Sequence, residues 1–157
     1  MSSVTSTYKS SDVSGIQTHT LANAAQLLAR VLFAFIFIYA GFGKLMNHAG
    51  TVGYISAGSM PIPAELAYWA AVAIEFGCGL LVLVGFLARP AALAIAIFSI
   101  MSGYYFHYLF AQGDAGVVMN MMIHFQKNIS IAGGALFIAA SGAGGWSIDA
   151  KLFGGRG

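Results

Sequence analysis

Glu75 lies in a run of apolar residues that includes Ala71, Val72, Ile74, Phe76 and Leu80. A carboxyl in such surroundings is either held neutral or paired with a cation. Arg30 and Lys127 are the candidate partners. Two imidazoles, His107 and His124, and the carboxamide of Asn128 stand in other apolar stretches. Asn120, His124 and Lys127 recur at spacings of four and three, so they share one helical face. A carboxylate, an ammonium and imidazoles in one apolar interior could donate hydrogen bonds to ligand oxygens and pass protons to them. Glu75 is the candidate proton relay; Lys44, His107, His124 and Lys127 are the candidate ligand-binding residues. Arg30 and Arg89 are expected to be structural charges. A lone histidine in an apolar helix is more often a packing hydrogen-bond donor than a ligand, and no metal site is expected.

The elements that carry these residues follow from composition. Of 157 residues, 59% are apolar and only 8% are charged. Ordinary soluble domains carry about 25% charged residues, so the solvent for most of this chain is lipid. The net charge of +2 comes from scattered basic residues without a patch, which argues against nucleic acid as a partner. Cys78 is the single cysteine and can form no internal disulfide.

A helix spans a bilayer with roughly 20 apolar residues. Four stretches qualify, at about residues 23–46, 64–87, 90–111 and 119–141. Backbone groups in lipid must bond within their own segment, which makes these stretches helices. The predicted fold class is all-α, an integral membrane four-helix transmembrane bundle over residues 21–153. Residues 1–20, rich in Ser and Thr, are predicted to be a flexible polar tail. Residues 47–60, rich in Gly and Ser, are predicted to be a loop. Lys9, Arg89, Lys151 and Arg156 fall on one side of the four spans, which predicts cytoplasmic termini.

Only 13 residues, 31–43, separate Arg30 from Lys44. That run covers about two thirds of a roughly 30 Å hydrocarbon core. At least one of the two charges must therefore lie in the slab or snorkel out of it. Each span also has one stripe richer in small or polar residues. These stripes are Arg30, Ala34, Phe37, Gly41, Lys44; Tyr68, Ala71, Glu75, Cys78, Gly79; Ala92, Ala96, Ser99, Gly103, His107; and Asn120, His124, Lys127, Ile131, Gly134. Small residues allow close helix approach in lipid. If all four stripes face one another, Glu75, Lys127, His107 and His124 meet inside, together with Lys44 if it does not snorkel.

Gly41-Phe-Gly-Lys44, Glu75 with Gly79, Gly85-Phe-Leu-Ala-Arg89, and Phe125-Gln-Lys-Asn128 followed by Gly133-Gly134 resemble the DoxX family, over about residues 26–151. The resemblance implies a small bacterial inner-membrane protein with a four-helix core, and it adds Asn128 to the candidate ligand-binding residues. Some relatives of that family resemble membrane subunits of a quinone-linked oxidoreductase. The expected function is that of a membrane anchor or subunit in a redox-linked complex, with quinone as the candidate cofactor. The expected partners are the bilayer and either a redox protein or a second copy of the chain. The alternatives are a small-solute or proton pathway, or a stand-alone quinone-binding subunit. The sequence contains no cysteine pair and no Gly-rich nucleotide loop, so a complete redox reaction would call on a partner subunit or a bound cofactor.

Overall fold

The computed structural model describes residues 4–154, with side chains from residue 18 onward. Helix α1 runs Val4–Met46, followed by a short helix α2, His48–Ser56. Helices α3, Ala64–Val84, and α4, Ala88–Tyr108, come next. Helix α5 is Ala115–Ser141 and helix α6 is Ile148–Phe153. No strand occurs among the described residues. The expected all-α fold is the one observed.

Three segments are long and apolar enough to cross a membrane: Thr18–Met46 of α1, α3 and α4. Helix α5 has 27 residues, ample length for a crossing, yet it is not among them. Asn120, His124, Gln126, Lys127 and Asn128 dilute its hydropathy. Leu32, Phe35 and Tyr39 of α1 are each about 70% exposed (67%, 68% and 73%), as side chains solvated by lipid would be.

Local chemistry sets the helix ends. Asn47 caps α2 by accepting the Gly50 amide at 3.1 Å. The stretch expected as a loop is therefore helical over His48–Ser56. Asp114 caps α5 in the same way through the Gly116 amide, 2.8 Å away. Helix α3 stops where Gly85 turns left-handed, at φ +70. The Phe86 amide donates to the Leu81 carbonyl and the Gly85 amide to that of Val82, closing a Schellman turn. At the other end of the chain, α1 already begins at Val4, so the backbone of residues 4–20, expected as a polar tail, continues the first helix. Residues 1–3 lie outside the described residues.

The core is built from small side chains around a few large ones. Phe37, Val82, Ile95 and Ile138 pack with Ala91, Ala92, Ala96, Ala132 and Ala135. Three of the four expected stripes face inward. Arg30, Ala34, Phe37 and Gly41 are buried on α1; Tyr68, Ala71, Glu75 and Gly79 on α3; Ala92, Ala96, Ser99 and Gly103 on α4. Helix α5 is turned differently. It buries Ala132, Ala135 and Ile138, while Asn120 and Lys127 are exposed.

Candidate functional site: an ion pair on an apolar cavity

Both α3 and α4 contain a widened π turn, Ala73–Cys78 in α3 and Tyr104–Tyr108 in α4. Such turns insert a residue into the helical ladder, re-aim the side chains they carry, and occur often at functional sites. Glu75 sits in the first and His107 in the second. Helix α1 approaches the first turn closely at Gly41. A Cβ there would lie 2.5 Å from the Phe76 amide nitrogen and 2.9 Å from its Cα. Glycine is therefore what lets the end of α1 reach Glu75.

That approach brings Lys44 Nζ to 2.5 Å from Glu75 Oε2. The Glu75 side chain is 10% exposed and that of Lys44 25%. Lys44 is thus the partner of Glu75, and neither Arg30 nor Lys127 fills that role. The Tyr68 hydroxyl donates to the Lys44 carbonyl at 3.2 Å and holds the end of α1 in place.

The pair opens onto a cavity of about 420 Å³. Ala71, Ile74, Ile97, Phe98 and Met101 give it apolar walls. Thr51, Tyr54 and Ile55 of α2 and Met60 beyond it cover one side. Tyr54 stacks on Phe106 with ring centres 5.4 Å apart, tying that cover to α4. His107 also lines the cavity. Its ring stacks on that of His124 at 5.0 Å and 22°. His107 Nδ1 is buried without a hydrogen-bond partner. The site thus combines a paired cation and anion, an imidazole and a greasy chamber. It can hold an apolar molecule that carries oxygen atoms.

The remaining expected site residues lie elsewhere. His124 touches the site only through His107, and is not among the residues lining the cavity. Asn128 donates to the His124 carbonyl at 3.0 Å and packs where α5 meets Gly103. Lys127 lies on the outward face of α5 and does not join the interior. The cause is the packing of α5, which turns its alanines, His124 and Asn128 toward α4 and leaves Asn120, Gln126 and Lys127 outward.

Arg30 and Arg89 both satisfy backbone carbonyls. Arg30 is buried and donates to the carbonyls of Leu83 at 3.2 Å and Trp146 at 2.5 Å. Arg89 donates to the Ala140 carbonyl at 2.7 Å, capping the end of α5. Asp149 completes this end of the bundle. Its carboxylate accepts the amides of Leu87 at 2.8 Å and Ala88 at 3.0 Å. Sequence reasoning placed Tyr68 on a small-residue stripe without a contact, and gave no role to Asp149. A helix-capping Asn ahead of residues 48–56 was the one available signal for α2.

A family model described as DoxX matches residues 25–108. Inner membrane protein YqjF of Escherichia coli (strain K12) is 40% identical over 132 residues, covering 84% of this chain and 95% of that one. Inner membrane protein YphA of the same organism is 38% identical over 126 residues, covering 80% of this chain and 88% of its own length. No solved structure gives a significant match.

Proposed function

The chain belongs to the DoxX family, and from that premise we propose that it is an inner-membrane subunit of a redox-linked assembly that holds a quinone-class molecule beside Lys44 and Glu75. The observation that carries this reading is the ion pair on the wall of an apolar cavity. A buried pair is weak support for stability, because desolvation offsets most of its attraction. Its placement against a chamber of about 420 Å³, within the usual range of ligand pockets, favours a binding role.

The residues present fit such a group. Lys44 can donate to a ring oxygen while Glu75 holds it in place. Glu75 can also accept a proton at a carboxylate oxygen. His107 adds an imidazole to the cavity wall. The apolar walls take up the ring and the start of a prenyl tail and exclude water. When bound, a quinone supplies two-electron, two-proton chemistry.

Orientation follows the positive-inside rule. Arg89 and Lys151 share the end of the bundle closed by Arg30 and Asp149, while Glu65 and Asp114 lie at the other. This supports cytoplasmic termini, with the cavity toward the outer leaflet.

The test is extraction of the protein, purified in mild detergent from its own membrane, followed by mass spectrometry of the organic phase. Near-stoichiometric prenylated quinone is expected in the native chain, and at least tenfold less in a folded Glu75→Gln variant. Absence of quinone, or equal amounts in both, overturns the reading.

A further inference from the structure

The outward face of α5 is unlike the rest of the bundle surface. Asn120, Ile123, Lys127, Ser130 and Phe137 are all exposed there, at helical spacings that place them in one stripe. Lys127 lies close to the middle of the 27-residue helix. Even counted from Met119 it is about 12 Å along the axis at 1.5 Å per residue, beyond the reach of a lysine side chain. Facing lipid alone, it would cost about 2.5–3.5 kcal/mol.

None of the four acids whose side chains are described is free to pair with it. Glu65 pairs with His48 at 3.1 Å, and Glu75 with Lys44 at 2.5 Å. Asp114 caps α5 through the Gly116 amide, and Asp149 caps α4 through the Leu87 and Ala88 amides. Lys127 itself makes no ion pair among the described side chains, which points to a counter-charge on another molecule. Next to Ser130, one turn further along α5 than Lys127, the surface also allows close approach. A Cβ at Gly133 would meet nothing within 4 Å. The Ser130 hydroxyl is satisfied by the Gln126 carbonyl at 3.1 Å. Small residues of this kind let a second helix pack closely in lipid.

We infer that this face of α5 docks a transmembrane helix of a different membrane protein, one that carries an Asp or Glu level with Lys127. A second copy fits poorly, because a two-fold contact through this stripe would set Lys127 against Lys127. The inference goes beyond the cavity and stands whether or not the cavity holds a quinone.

The test is a photo-crosslinking amino acid at Ser130 in the full chain in its native membrane, with Leu32 on α1 as the lipid-facing control position. A discrete adduct with another protein is expected from position 130 only. It should persist in Lys127→Arg and fall at least tenfold in Lys127→Glu. The crosslinked peptide should contain a membrane-embedded acid, and changing that acid to Lys should restore the adduct in Lys127→Glu. Gly133→Leu, which adds bulk in open space, should weaken the adduct without lowering the melting temperature. If Lys127→Glu fails to fold, Gly133→Leu decides alone. An adduct between two copies, lipid adducts only, or a protein adduct indifferent to these substitutions overturns the inference.

Discussion

At the scale of single residues, Glu75 is where sequence and structure agree best on what needs an account. Its apolar neighbours alone mark it as a carboxyl that must be neutral or paired. Its partner was not legible. Arg30, Lys44 and Lys127 are all plausible by type, and the choice depends on helix depth and on Gly41, whose missing side chain lets Lys44 arrive. The pairing makes a definite prediction. Lys44→Met alone leaves a buried carboxylate without its cation and should cost about 3 kcal/mol. Adding Glu75→Gln removes the stranded charge and should recover most of that loss. Thermal unfolding of both variants in the same detergent checks this. Equal melting points for the single and double variants would show that the two side chains act independently. The ligand readout is separate: both variants should lose the bound molecule, since the pair is what receives its oxygen.

At the scale of elements, three inward stripes were legible and the fourth was not. On α1, α3 and α4 the polar residues share a stripe with the small ones, so one face satisfies both criteria. On α5 they part company. Its alanines, Ala132 and Ala135, are buried against α4, whereas Lys127 and Asn120 point out. Spacing identifies a face but does not say which side of the helix meets the core. The π turns were also invisible, because no composition rule marks an inserted residue. Yet they carry both Glu75 and His107.

Two predictions belong at this scale. Gly41→Ala forces a Cβ against the backbone of Phe76 and should destabilise the bundle by about 1–3 kcal/mol and empty the cavity. Gly43→Ala, with nothing within 4 Å of its Cβ, should leave both properties unchanged. Melting temperature and ligand content distinguish them, and equal effects would remove the close approach of α1 from the explanation. Asp149→Ala removes two bonds to amides at the start of α4. A loss of about 1–2 kcal/mol is expected, with bound ligand retained because the cavity lies at the far end of the bundle. Loss of ligand at full stability would tie the two ends together in a way this packing does not provide.

At the scale of the whole molecule, the number of crossings follows from contacts that composition does not supply. Three segments qualify on apolarity, and α5 does not. But Arg89, in the first turn of α4, caps the carbonyl of Ala140 at the end of α5. Asp149 then returns to bond Leu87 and Ala88 at the same end. Asn128 meets Gly103 further along. Helix α5 therefore runs antiparallel beside α4 over most of its length. If α4 crosses the bilayer, the two ends of α5 lie at opposite faces, and its polar outward stripe is carried through the membrane. The expected topology has four crossings with Glu65 outside and Lys151 inside. Single cysteines in a Cys78→Ser background test it with a membrane-impermeant thiol reagent. Glu65→Cys should label once the outer face of the inner membrane is accessible, and Lys151→Cys only after the membrane is opened. Labelling of both from one face would mean that α5 does not cross, and the stripe around Lys127 would then face water and need no partner. Labelling in the reverse order would keep four crossings but turn the bundle over, placing the cavity toward the cytoplasm.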